Sequence, residues 1–152
     1  MIVKTTDLTG YALDWAVAKA DGVKVALCAG GYPARVSSIR VSSYSAKGYS
    51  PSNAWDIAGP IIENANISII RCDNDYQSFP DKWMAQKGAQ SYCESTEHQQ
   101  HDPMIQLSVE SDGSCFSKDG PMYGPTPLVA AMRCFVANTL GERVDVPDWT
   151  VS

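Results

Sequence analysis

The sequence predicts an α+β fold: a small, mostly antiparallel sheet packed by two long helices, one near each end, and a short middle helix. Three observations predict it. Leu8 to Gly22 and Leu128 to Leu140 carry apolar residues at helical spacing between clear start and stop signals. Short branched segments between them alternate or run apolar like strands. These segments do not alternate strictly with helices, which argues against a doubly wound parallel sheet. The chain has 152 residues, the length of one domain, taken as 1–152.

The first helix, Leu8 to Gly22, is capped by Thr6 or Asp7 and ended by Gly22. Leu8, Ala12 and Trp15 form one apolar face and Leu13, Val17 and Ala20 another; Gly10, Asp14 and Asp21 leave only a narrow polar strip. A helix this apolar is covered by its own domain or by a partner, and a homodimer is one expectation. Val23 to Leu27 reads as a strand, Gly30-Gly31-Tyr32-Pro33 as a turn, and Arg35 to Tyr44 as a strand or extended loop. At Tyr49 to Asp56, Pro51 ends what precedes it and Ser52 or Asn53 caps a helical turn, with Asp56 closing a capping box. Gly59-Pro60 interrupts, and Pro60 opens a fresh short helix through Asn64. Ile67 to Cys72 and Lys82 to Gln86 are strands, Gly88 to Pro103 is a long polar loop, and Ile105 to Glu110 alternates as a half-exposed strand. The last helix opens at Gly124-Pro125-Thr126-Pro127, with Thr126 as cap, and stops at Gly141. One side carries Leu128, Met132, Phe135, Val136 and Leu140. The other has small residues and Arg133, so a second backbone or a ligand can approach closely. Residues 144–152 read as an extended tail.

The net charge of -5 disfavours phosphate backbones and anionic lipid, and the scattered lysines and arginines form no basic stripe. No apolar run approaches the ~20 residues that span a bilayer. The five cysteines are odd in number, widely spaced and without a CxxC, which reads as reduced thiols in a cytoplasm. Cys93, His98, His101 and Cys115 offer metal-ligand atoms, but without the compact pairs of zinc sites, and the histidines lie in a Gln-rich stretch. No Gly-x-Ser-x-Gly elbow or Gly-rich phosphate loop is present, and Asp73, Asp75 and Asp81 read as a solvated connector. The expectation is no catalytic constellation, no metal and no cofactor.

The two Gly-Pro helix starts carry the one chemical possibility with a mechanism. A helix N-terminus presents unpaired N–H donors and a partial positive charge, so it holds anions. Beside the first lie Tyr49, Ser50, Ser52, Asn53, Trp55 and Gly59; beside the second lie Tyr123, Gly124, Thr126 and, two turns on, Arg133. If both faced one hollow, with Trp83 or Tyr49 as a stacking wall, they would bind a phosphorylated or nucleotide-like small molecule. Arg133 would contact the anion, or else pair with Asp14 or Glu63.

Four segments together resemble the NinX family of lambdoid phages and prophages. They are Leu8 to Gly22; Tyr49-Ser50-Pro51-Ser52 with Trp55 and Gly59-Pro60-Ile61-Ile62-Glu63; Lys82-Trp83-Met84-Ala85; and Gly124 to Arg133. Between Asp73 and Tyr123 the resemblance holds only around Trp83, so 73–123 is otherwise expected to be a variable, loop-rich insertion. The resemblance implies a phage origin and a bacterial cytoplasm, and brings no catalytic residues. Three function classes follow, in order: a non-catalytic binder that sequesters a nucleotide-derived ligand in counter-defence; a module that docks on and retunes a host protein; and a small enzyme.

Overall fold

A computed structural model describes residues 1–27, 32–35, 48–72, 83–88 and 121–148. In chain order the elements are β1 (Ile2–Lys4), a 3-10 turn (Thr5–Asp7), α1 (Gly10–Asp21), β2 (Val25–Leu27), β3 (Pro33–Arg35) and α2 (Trp55–Asn64). They continue with β4 (Ile67–Arg71), β5 (Trp83–Lys87), β6 (Met122–Gly124), α3 (Pro127–Leu140) and β7 (Arg143–Asp145). The α+β class holds, with three small antiparallel sheets among the described residues: β1-β7, β2-β3 and β4-β5-β6.

The last helix is the hub. α3 packs against α1, α2 and all three strands of the β4-β5-β6 sheet. Its sequence explains this, because Leu128, Met132 and Val136 fill one side while Ala130, Ala131, Cys134 and Ala137 let neighbours close in on the other, and all are buried. The predicted ends hold: Thr126 caps with its side chain, Pro127 stands in the first turn, and Gly141 ends the helix. Gly124 is where β6 presses on α3. A Cβ there would lie 2.6 Å from the Ala130 amide nitrogen, so only glycine fits this approach.

The first helix is covered by its own domain. Ala12, Leu13, Ala16, Val17 and Ala18 are buried, and α1 packs on α3. Gly22 closes it in the left-handed conformation, as predicted, with φ 69. It starts later than the sequence suggests: Thr5–Asp7 form a separate 3-10 turn and Thr9 is the N-cap. The predicted polar strip is also corrected. Asp14 is 1% exposed, while Tyr11 and Lys19 face solvent.

The middle of the chain corrects the reading of its prolines. α2 runs without interruption from Trp55 to Asn64, and Pro60 lies inside it. Gly59-Pro60 is therefore no helix start. Pro60 removes only the donor for the Asp56 carbonyl, and both residues lie on the exposed side of α2, where solvent can replace it. Ser52 and Asn53 are not caps; Ala54 holds the N-cap position, with no side-chain bond. Pro33, read as part of a turn, belongs to β3, opposite Leu27 of β2.

The start of the stretch read as an extended tail is paired with the other end of the described chain. β7 pairs with β1 along Ile2↔Asp145 to Lys4↔Arg143, and Val144 and Val146 are buried. The buried Thr5 completes the seam: its amide donates to the Glu142 carbonyl at 2.8 Å and its hydroxyl to the Gly141 carbonyl at 2.7 Å. Within 73–123 the stretch around Trp83 forms β5, as its alternation suggests, and Met122 and Tyr123 belong to β6 of the central sheet. The Gly88 to Pro103 loop beyond Gly88, the Ile105 to Glu110 strand, and Arg35 to Tyr44 beyond Arg35 lie outside the described residues. Among the described residues no helix is long and apolar enough to cross a membrane.

Candidate binding site

The eleven residues predicted to hold a ligand fall into two groups that the fold uses differently. Tyr49, Ser50, Ser52 and Asn53 form a tight turn against α1. The Ser50 carbonyl accepts from the Asn53 and Ala54 amides, both at 3.0 Å. The Ser52 amide donates to Asp14 Oδ1 at 2.8 Å, and the Asn53 side-chain amide donates to Ser52 Oγ at 3.4 Å. Tyr49 and Ser52 are buried. Trp55 opens α2 and is 56% exposed; Gly59 sits in the middle of that helix.

The second group gathers around β5, β6 and α3. Trp83 stands opposite Gly124 in the β5-β6 register. The Arg71 guanidinium carbon lies 5.9 Å from the Trp83 ring centre, so that ring already faces a cation. Thr126 Oγ1 accepts from the Val129 amide at 3.2 Å, which occupies one of the free helix-end donors. Arg133 is 7% exposed. It makes no ion pair with Asp14 or Glu63. Its Nε donates to the Leu8 carbonyl at 2.9 Å and its Nη1 to the Tyr123 carbonyl at 2.7 Å. It thus ties the approach to α1 and the strand β6 to α3.

Two clefts of ligand size are open among the described residues, and none of the eleven lines either. One, of about 500 Å³, lies between α2, the end of α1, Gly48 and Phe135, with Asp21 and Asp56 on its walls. The other, of about 830 Å³, lies between α1, the start of β2 and the β1-β7 seam, and contains Trp15, Lys19 and Lys24. Sequence reasoning missed this second cleft. Its signal was present, since Trp15 and Lys19 are four apart and share a helix face.

Two side chains titrate far from their ordinary values. Burial pushes the Asp14 carboxyl up to about 6, against the pull of hydrogen bonds from Ser52. Its Oδ2 has no hydrogen-bond partner among the described residues. Burial also pushes the Cys134 thiol up to about 11, outweighing the Asn138 hydrogen bond and the Lys87 charge. A buried neutral thiol is a core group and not a nucleophile. Among the described residues no cluster of His, Cys, Asp or Glu could hold a metal ion; Cys93, His98, His101 and Cys115 lie outside them.

No curated protein matches the chain. A family model described as "Bacteriophage P22, NinX" matches residues 4–109, most of the chain. The match takes in α1, the paired strands β2 and β3, α2, β4 and β5, and stops before β6 and α3; Gly124 to Arg133, part of the resemblance, lies beyond it. With its α+β core and the matched helices in place, the chain belongs to the NinX family of phage proteins.

Proposed function

We propose that this NinX-family protein is a non-catalytic accessory protein of the phage that docks onto a protein of the infected cell, with Trp55 in the docking face. The exposure of Trp55 carries this reading. An indole 56% exposed at the head of α2 keeps a large apolar surface in water, which an interface would remove. Tyr11 on α1 is 48% exposed as well. Trp and Tyr are enriched among the residues that dominate binding energy at interfaces. The groups expected to grip a phosphorylated or nucleotide-like ligand between two helix starts are engaged within the fold. Ser52 is held by Asp14, Arg133 holds two carbonyls, and Thr126 closes its own helix. That favours the protein partner over a ligand at that place.

The phage setting favours a host factor as the partner, with counter-defence or the retuning of a host enzyme as the role. The free thiols of Cys72 and Cys134 fit a reducing cytoplasm. Asp14 and Cys134, whose pKa values move furthest, line neither cleft, which supports binding without catalysis.

The test is cross-linking and purification of the tagged chain from a bacterial host, beside Trp55→Ala. A host protein recovered in fixed ratio with the parent and lost with Trp55→Ala, at an unchanged melting temperature, supports the reading. Recovery of the same proteins with both variants overturns it. Turnover of a nucleotide mixture by the purified chain would overturn the non-catalytic half.

A further inference from the structure

We infer that the cleft beside Trp15 is a binding site for a free nucleoside phosphate, with the base against the indole and the phosphate between Lys19 and Lys24. This is separate from the docking face proposed for Trp55. Three features of the cleft carry it.

The first is the arrangement of wall and cations. Trp15 and Lys19 stand one turn apart on the same face of α1. At the end of the helix, left-handed Gly22 turns the chain back, and the Val23 amide donates to the Ala18 carbonyl at 2.9 Å. That reversal carries Lys24 into the lining that already holds Lys19. Both lysines are exposed, and neither has an ion-pair partner among the described residues.

The second is charge. The two carboxylates of the lining, Asp145 and Asp148, both accept the Met1 ammonium group, at 3.1 and 2.9 Å. Those hydrogen bonds raise the pKa of the ammonium, so it stays charged at neutral pH. The three cations of the lining outnumber its two carboxylates, and neither lysine is paired with a carboxylate among the described residues. In a chain of net charge -5 this is a local reversal of sign. A short anion meets the local field. A long polyanion would also meet the acidic remainder of the surface, which selects a free nucleotide over a nucleic-acid strand.

The third is shape. The volume of about 830 Å³ falls in the range of small-molecule sites. Val23, Val25 and Val146 supply apolar surface, and the half-buried Trp15 offers a flat ring on which any base can stack.

The test is calorimetric titration of the full chain with adenosine monophosphate and guanosine monophosphate. Parallel arms use adenosine, inorganic phosphate and a short single-stranded oligonucleotide. A monophosphate is expected to bind at least about tenfold more tightly than the nucleoside or phosphate alone, because only it engages both ring and lysines. Binding should weaken as salt rises. The Lys19→Gln/Lys24→Gln double variant changes only exposed side chains and should weaken binding about tenfold or more at an unchanged melting temperature. Trp15→Leu should weaken binding to a similar extent, while Trp55→Ala should leave the affinity as in the parent. The proposal is overturned if neither monophosphate binds at millimolar concentration, if the double lysine variant binds like the parent, or if the oligonucleotide binds more tightly than the monophosphates.

Discussion

Two stretches of this chain look alike in sequence and end in opposite structural roles. Gly59-Pro60 and Gly124-Pro125-Thr126-Pro127 both read as helix openings; the first lies within α2 and the second opens α3. Each stretch follows or joins a segment fixed to a helix by one buried charged side chain. Asp14 of α1 takes the Ser52 amide ahead of α2, and Arg133 of α3 takes the carbonyls of Leu8 and Tyr123. The two anchors differ in kind. Arg133 is a permanent cation whose forked donors meet two backbone acceptors. Asp14 is a carboxyl whose second oxygen finds no partner among the described residues, and burial works against its ionised form. Similar residues near a proline do not set the role; what lies against them across the fold does.

The sharpest way to break the comparison is to remove the cationic anchor. Arg133→Ala leaves two carbonyls without their donor and opens space in the core. It should cost about 3–5 kcal/mol in denaturant unfolding, since each orphaned group costs roughly 1–3 kcal/mol. A loss under about 1 kcal/mol would show the anchor to be dispensable. Next comes the close approach of β6. Gly124→Ala drives a methyl group into the Ala130 backbone and should destabilise by about 2–3 kcal/mol, as overpacking does.

The acidic anchor should show itself through pH. The Asp14 carboxyl titrates at about 6 in the folded chain against 3.8 as its ordinary value. Between those values the unfolded chain has released its proton while the folded chain keeps it, so stability falls as pH rises through the window. The loss is complete above about 6 and approaches 3 kcal/mol at most, at 1.36 kcal/mol per pKa unit. Asp14→Asn keeps an acceptor for Ser52 and removes the charge. It should flatten this slope and exceed the parent in stability at pH 8, with little difference near pH 4. Parallel profiles for parent and variant would contradict the assignment.

The smaller effects sharpen the contrast between the prolines' surroundings. Thr126→Ala should cost about 1 kcal/mol, the usual worth of a helix cap. Gly59→Ala should raise stability by about 0.5–1 kcal/mol, because Gly59 is a mid-helix glycine with open space where the Cβ would go. If Gly59→Ala destabilised the chain, an uninterrupted α2 would be wrong.

What could be read from the sequence follows the same division. The body and end of α1, both ends of α3, and the strands β4 and β5 were legible within a residue or two. Their signals are local: an apolar period, a threonine three residues before the amide it caps, a glycine where the chain must turn left-handed. The α+β class followed from those elements. The candidate site was less legible. Several of the eleven do lie at a turn or a helix end, but Gly59 and Arg133 stand mid-helix and Trp83 in a strand, and Ser52, Thr126 and Arg133 are engaged by partners within the fold. The cleft at Trp15 depends on the chain reversal at Gly22 and on the β1-β7 seam meeting the same face of α1.

The sequence by itself determined that the bodies of α1 and α3 are helical, where the last helix begins and ends, and the phage family to which the chain belongs. Only the tertiary structure decided that Asp14 is buried, that Arg133 grips backbone, that Pro60 continues a helix, and that the two described ends pair as strands. The reason is distance along the chain. Asp14 meets Ser52, Arg133 meets Leu8, and Met1 meets Val146, each across many residues, whereas caps and periodicities act within a turn or two. A carboxylate on a helix reads as solvated until the fold brings a wall against it.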